Sequence, residues 1–103
     1  MTFGLVVRFE LNDAAEAEAF DRLVAETTEH IRAAEPGTLM YITHRVEDAP
    51  LSRVFYEIYT DRSAFEAHEE AAHVRNFLAK REAYVSSLRV EFVTPTGGKN
   101  APK

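Results

Sequence analysis

The sequence predicts an α+β domain in the order βαββαβ, a four-stranded antiparallel sheet with both helices on one face, the ferredoxin-like arrangement. Three observations predict it. A chain of 103 residues holds one hydrophobic core and leaves no room for a second domain. Apolar residues return with period 2 in separate short segments, which marks strands, and with period 3.6 in two longer ones, which marks helices. Right-handed crossovers then place the strands in the order 4-1-3-2.

The first strand, Phe3 to Glu10, carries Phe3, Leu5, Val7 and Phe9 on one side and Gly4, Val6, Arg8 and Glu10 on the other. Asp13, with Glu16 three residues on, forms a capping-box pattern that opens a helix running to about Ala34. The apolar stripe of that helix is Ala17, Phe20, Val24, Thr27 and Ile31. Pro36 disfavours helical geometry at Glu35 and Gly37 permits a reversal, so the helix stops there. Thr38 to Val46 and Ser52 to Thr60 read as two antiparallel strands around a loop at residues 47–51. Asp61 caps a second helix that continues or restarts near His73 and runs to about Ser87, and Leu88 to Thr94 forms the last strand. Residues 1–94 make the domain; the tail 95–103, PTGGKNAPK, lacks an apolar anchor and reads as flexible.

Period-2 alternation assigns Phe3, Leu5, Val7, Phe9, Met40, Ile42, Val46, Val54, Tyr56, Ile58, Leu88, Val90 and Phe92 to the helix side, interrupted by His44. The other face then carries Tyr41, Phe55 and Tyr59 among Arg8, Arg45, Glu57, Arg89 and Glu91. Several aromatics in one patch exceed what a monomer leaves to water, so a second sheet is expected to cover them. Glu57 is expected to pair there with Arg8, Arg89 or Arg45.

Lys and Arg total 12 against 17 Asp and Glu, and a net charge of −5 argues against nucleic acid as a partner. The chain has no cysteine, which removes thiol nucleophiles, disulfides and iron–sulfur clusters and suits a reducing cytoplasm. The apolar run at the N-terminus is broken by Arg8 and Glu10, too short for a signal peptide or a membrane span, so a cytoplasmic location away from the membrane is expected.

Four histidines, His30, His44, His68 and His73, are the candidates for a general base near neutral pH. His30 lies near the end of the first helix, where the dipole accounts for it. On an unbroken helix His68 and His73 stand about 140° apart and do not hold one metal, although a break at Ala71 and Ala72 would bring them together. No metal site and no phosphate-cradling glycine loop is expected.

The strings EPGTLMYITHR, residues 35–45, and VFYEIYTDRSAFEAHEEAAHVRNF, residues 54–77, resemble the antibiotic biosynthesis monooxygenase superfamily, including its quinol monooxygenases. The resemblance runs from Phe3 to about Thr94. It rests on Glu35-Pro36-Gly37 leading to Tyr41, on Phe55, Tyr56 and Glu57, on Asp61 with Ala64, and on Ala67-His68, His73 and Phe77 at the family's spacing. Two features depart from the family pattern. Ala71-Ala72 and Val74 replace the Ser-Pro or Thr-Pro before the second histidine and the Phe after it, and Tyr59 replaces a tryptophan.

The resemblance implies a homodimer whose sheets pack face to face as a dimeric α+β barrel. It also implies a cofactor-independent monooxygenase that oxidises a small aromatic molecule, such as a quinol, anthrone or polyphenol, with O₂. An electron-rich phenolate or carbanion reduces O₂ unaided, so the protein needs one base and an aromatic-lined cavity. His68, matched to the family's helix-2 histidine, is the first candidate base and His73 the second. Tyr56 and His44 are candidate hydrogen-bond partners from the sheet, and Phe65, Phe77 and Tyr84 candidate cavity walls. A non-catalytic ligand-binding dimer of the same fold is the alternative. A haem degrader is disfavoured, because the chain has no Trp and Leu78 stands where the haem ligand would align.

Overall fold

The computed structural model describes residues 2–102. Its elements are β1 (Phe3–Leu11), α1 (Ala14–Ala34), β2 (Thr38–Val46), β3 (Ala49–Tyr59), α2 (Arg62–Glu70), α3 (Ala72–Arg81) and β4 (Val85–Val93). The four strands form one antiparallel sheet in the order β2-β3-β1-β4, which is the expected 4-1-3-2 read from the other edge. Asp13 caps α1 by accepting from the Glu16 N–H at 2.8 Å, and Asp61 caps α2 by accepting from the Ala64 N–H at 2.8 Å. No helix among the described residues is long and apolar enough to cross a membrane.

Boundaries differ from expectation in two places. The loop at 47–51 is a tight turn at Glu47 and Asp48, with Asp48 at φ 61°, so β3 begins at Ala49. A short polar residue such as Asp tolerates that left-handed backbone, which lets the hairpin close in fewer residues. The last helix ends at Arg81 rather than near Ser87, and β4 starts at Val85. Val85 and its neighbours pair along β1, and a strand partner for Leu11 outweighs another turn of helix.

The core lies between the sheet and the helices, and it corrects the face assignment. In an antiparallel pair, residues directly opposite share a face. Leu5 stands opposite Glu57 and Val7 opposite Phe55, while Tyr41 stands opposite Glu57. Phe55, Glu57, Tyr59 and Tyr41 therefore face the helices with Leu5, Val7 and Phe9, whereas Met40, Ile42, His44, Val54, Tyr56 and Ile58 lie on the outer face. β1 and β4 face as expected; β2 and β3 are inverted. The physical reason is that β3 is apolar on both sides, so its alternation has no unique parity, and the one acid that suggested a polar face is buried among partners. Phe9, Phe20, Phe55 and Phe77 form the centre of the core, with Phe9 and Phe55 edge-on at 4.8 Å between centroids. Buried Arg53, also turned inward, grips Asp21 of α1 with two bonds of 2.8 and 3.0 Å, fixing that helix to β3.

The expected partners of Glu57 are engaged elsewhere. Arg8 pairs with Glu10, Arg45 with Asp21 and Arg89 with Glu91. On the outer face, Val6, Met40, Val54, Tyr56 and Val93 are half-buried and Ile42 is exposed, beside Arg8, His44, Arg89 and Glu91.

Candidate active site

The site begins where α1 stops. Glu35 leaves helical geometry ahead of Pro36 (φ −122°, ψ 78°), while its N–H still donates to the Ile31 carbonyl at 3.0 Å. Thr38 N–H closes a turn onto the Glu35 carbonyl at 3.1 Å, and Thr60 N–H ties Gly37 to the end of β3 at 3.0 Å. A Cβ at Gly37 would lie 2.7 Å from the Ala64 Cβ, so only glycine lets α2 approach this closely. That approach puts the buried Glu35 side chain against α2.

α2 ends at a single extended residue, Ala71 (φ −62°, ψ 140°). Its N–H donates to the carbonyls of Ala67 and His68, and its own carbonyl accepts from Val74 and Arg75 to start α3. The break redirects the chain, and His68 and His73 converge on one carboxylate. His68 Nδ1 bonds Glu35 Oε1 at 2.7 Å, His73 Nε2 bonds Glu35 Oε2, and Thr38 Oγ1 donates to Oε1 at 2.6 Å. The His30 ring stacks on His73 at 5.6 Å from the other side.

Burial pushes the Glu35 carboxyl up, but hydrogen bonds from Thr38, His68 and His73 outweigh it and hold the group below the usual carboxylate range. An ionised Glu35 only accepts, so His68 donates from Nδ1 and, when neutral, keeps its lone pair on Nε2. That atom lies 3.9 Å from Glu57 Oε1 and makes no hydrogen bond among the described residues, yet it is not sealed off. Glu57 Oε1 accepts the Tyr59 hydroxyl at 2.6 Å. Burial raises the Glu57 carboxyl to about 7, only partly opposed by that bond. Burial, then the neighbouring Glu57, also pushes the Tyr41 and Tyr59 phenols up and keeps them protonated.

His68 and Glu57 open onto a cavity of about 280 Å³ between the sheet and α2–α3. Its walls are Phe9, Phe55, Phe65, Phe77 and Tyr41, with Arg81 at one side. The Arg81 guanidinium lies over Phe9 and Phe77, 5.6 and 5.8 Å from their centroids. Toward β4 the cavity is bounded by Val90 and Phe92, which are 40% and 60% exposed, so this is its open side.

Of the residues singled out in the sequence, His68, Phe65 and Phe77 meet in the cavity wall, and His73 stands behind His68 across Glu35. His44 and Tyr56 lie across the sheet; His44 is exposed and bonds the Val54 carbonyl through Nδ1 at 3.0 Å. Neither reaches His68. Tyr84, at the turn before β4, packs on the core outside the cavity wall. Glu35, Tyr41 and Arg81 were not foreseen, nor was the inward Glu57. In the sequence Glu35 and Tyr41 carry the family resemblance and Glu35 marks a helix end, without a site role; the available signal for Glu35 is an acid held immediately before a Pro-Gly reversal. Among the described residues, no three His, Cys, Asp or Glu side chains are grouped as a metal site.

The sequence profile of the antibiotic biosynthesis monooxygenase family matches residues 2–80. The chain belongs to that family. Solved structures agree in fold. A Bacteroides thetaiotaomicron protein provisionally assigned as an antibiotic biosynthesis monooxygenase superposes with a TM-score of 0.88 at 22% identity, covering 99% of this chain and 96% of its own. Rv0793 from Mycobacterium tuberculosis gives 0.86 at 21% identity, covering 95% and 98%, and PA3566 from Pseudomonas aeruginosa 0.84 at 22%, covering 93% and 95%. No curated protein matches the chain in sequence.

Two predictions follow from this geometry. Gly37→Ala should cost about 1–3 kcal/mol through the clash with Ala64. Ala64→Gly should recover part of that loss in the Gly37→Ala background, while costing up to about 1 kcal/mol on its own, as read from urea midpoints. Glu57 retains a proton in the folded state that the unfolded chain releases near its ordinary 4.5, so this contribution to stability is complete below that pH and is lost as pH rises through about 7. Between about pH 5 and pH 8 the wild type should therefore lose stability relative to Glu57→Gln. Glu35 is common to both proteins and drops out of the difference; an unchanged gap would mean that Glu57 titrates as it does in water.

Proposed function

We propose that this member of the antibiotic biosynthesis monooxygenase family is a cofactor-independent monooxygenase of a small electron-rich aromatic, a quinol, anthrone or polyphenol, with His68 as its base. One observation carries the reading: His68 is anchored through Nδ1 on an ionised carboxylate, with its Nε2 lone pair opening onto an aromatic-walled cavity. Nε2 takes the acidic C–H or O–H proton of the substrate, and Glu35 stabilises the imidazolium that forms. The carbanion or phenolate, held between phenyl rings beside the Arg81 cation, then passes an electron to O₂. On the closed sides of the cavity the Phe9, Phe55 and Phe77 walls keep water from the anion.

O₂ uptake with a panel of hydroquinones and anthrones tests the reading. At least one substrate should turn over in the purified protein, and His68→Ala should lower that rate about 10²- to 10⁴-fold, the usual cost of a lost general base. Full activity in His68→Ala removes the residue from the mechanism; binding without turnover across the panel favours a ligand-binding role.

The same reading includes a homodimer. Its motive is now the outer face, where Met40, Ile42, Val54 and Tyr56 form an apolar band. Sedimentation equilibrium at micromolar concentration should give twice the 11.6 kDa chain mass, and a stable monomer would exclude it.

A further inference from the structure

Oxygenation at an acidic carbon requires more than a base. For an anthrone, the CH₂ group loses a proton to His68, the carbanion combines with O₂, and the peroxide takes the proton back from the imidazolium. His68 then removes the second C–H proton, whose electron pair forms the carbonyl while the O–O bond breaks. The departing oxygen leaves as hydroxide unless a proton is supplied to it, and His68 cannot supply it, because in that step it is accepting one.

We infer that Glu57 is the proton donor for O–O cleavage, a catalytic residue distinct from the base, on the oxygenase reading given above. Its carboxyl lines the same cavity as His68 and is buried with no Lys or Arg within salt-bridge distance among the described residues. Oε1 is held by the Tyr59 hydroxyl, whereas Oε2 makes no hydrogen bond among the described residues and is not sealed off. The 3.9 Å gap between Glu57 Oε1 and His68 Nε2 closes the cycle. After Glu57 has protonated the leaving oxygen to water, the imidazolium returns its newly acquired proton to the Glu57 carboxylate, and both groups regain their starting states. The sum is anthrone plus O₂ to anthraquinone plus water, with no proton left over and no reductant needed. Burial, which raises this carboxyl to about 7 so that it can both give and regain a proton near neutral pH, suits the role.

The test uses the full chain with anthrone as probe, measuring O₂ consumed, anthraquinone formed and peroxide accumulated, with uncatalysed oxidation subtracted. Glu57→Gln keeps the shape and an acceptor for Tyr59 but has no proton to give. O₂ uptake should persist within a fewfold of wild type, while anthraquinone per O₂ falls at least about tenfold and organic hydroperoxide or H₂O₂ takes its place. His68→Ala should instead lose O₂ uptake itself. If Glu57→Gln couples O₂ to product as wild type does, or loses uptake and product in parallel, the assignment is wrong. A wild type that consumes O₂ with hydroquinones but not with anthrone overturns this assignment alone, and one that consumes none across the whole panel removes the oxygenase reading and this assignment with it.

A measurement on the unaltered protein stands independently of whether the variant folds. The product-to-O₂ ratio should fall as pH rises from about 6 to 8 and Glu57 loses its proton. The titratable and charged groups around that carboxyl are His68 and Glu69 of α2, Glu35 at the end of α1, Arg81 of α3, Tyr41 of β2 and Tyr59 of β3. None of these replaces it as donor if the ratio falls in wild type and is already low and flat in Glu57→Gln. A ratio that holds constant over this range in wild type overturns the assignment.

Discussion

The Glu35 carboxylate is the constraint on which the site depends. It lies at the end of α1 and accepts from Thr38 at the start of β2, His68 of α2 and His73 of α3, so four elements meet at two oxygen atoms. An enclosed anion costs several kcal/mol unless its oxygens are hydrogen-bonded, and here three donors serve the two oxygens. The dependence is mutual. Without the carboxylate, two imidazoles and a hydroxyl would lose their acceptor inside the protein, and nothing else would set which nitrogen of His68 faces the cavity.

Glu57 shows what changes when donors are scarce. Both carboxyls approach His68, one at Nδ1 and the other near Nε2, and their side chains are only 9% and 7% exposed. Glu35 has three hydrogen bonds to its ionised form and stays charged; Glu57 has one, from Tyr59, and burial prevails. The imidazole thus sits between an acceptor and a potential donor. That asymmetry follows from the backbone, because the helix end at Glu35 gathers side chains from several elements while mid-strand Glu57 is flanked by rings.

Much of the fold could be read from local chemistry. Asp13 and Asp61 announce their helices, Pro36 and Gly37 end the first, and the alternation of β1 has one apolar face, so element order and sheet order followed. The parity of β3 could not be read, since Val54, Tyr56 and Ile58 are as apolar as Phe55 and Tyr59, and a buried Glu57 contradicts the usual preference unless its partners are known. The convergence of His68 and His73 was open for a related reason. It depends on ψ at Ala71, a residue whose type is equally at home inside a helix, and the break is set by packing rather than by a breaker in the sequence.

That one-residue break also divides what would be a single rod into helices of nine and ten residues. Helices of that length do not persist alone in water; they exist because a face is docked. His68 on α2 and the Phe77 wall on α3 are therefore ordered by the same contacts, with the sheet and with α1, that enclose the cavity. Any local opening of this segment floods the pocket and releases His68 from its anchor at the same moment. The aim of His68 and the wall formed by α3 therefore share one stability, that of the docked helix pair, and are lost together.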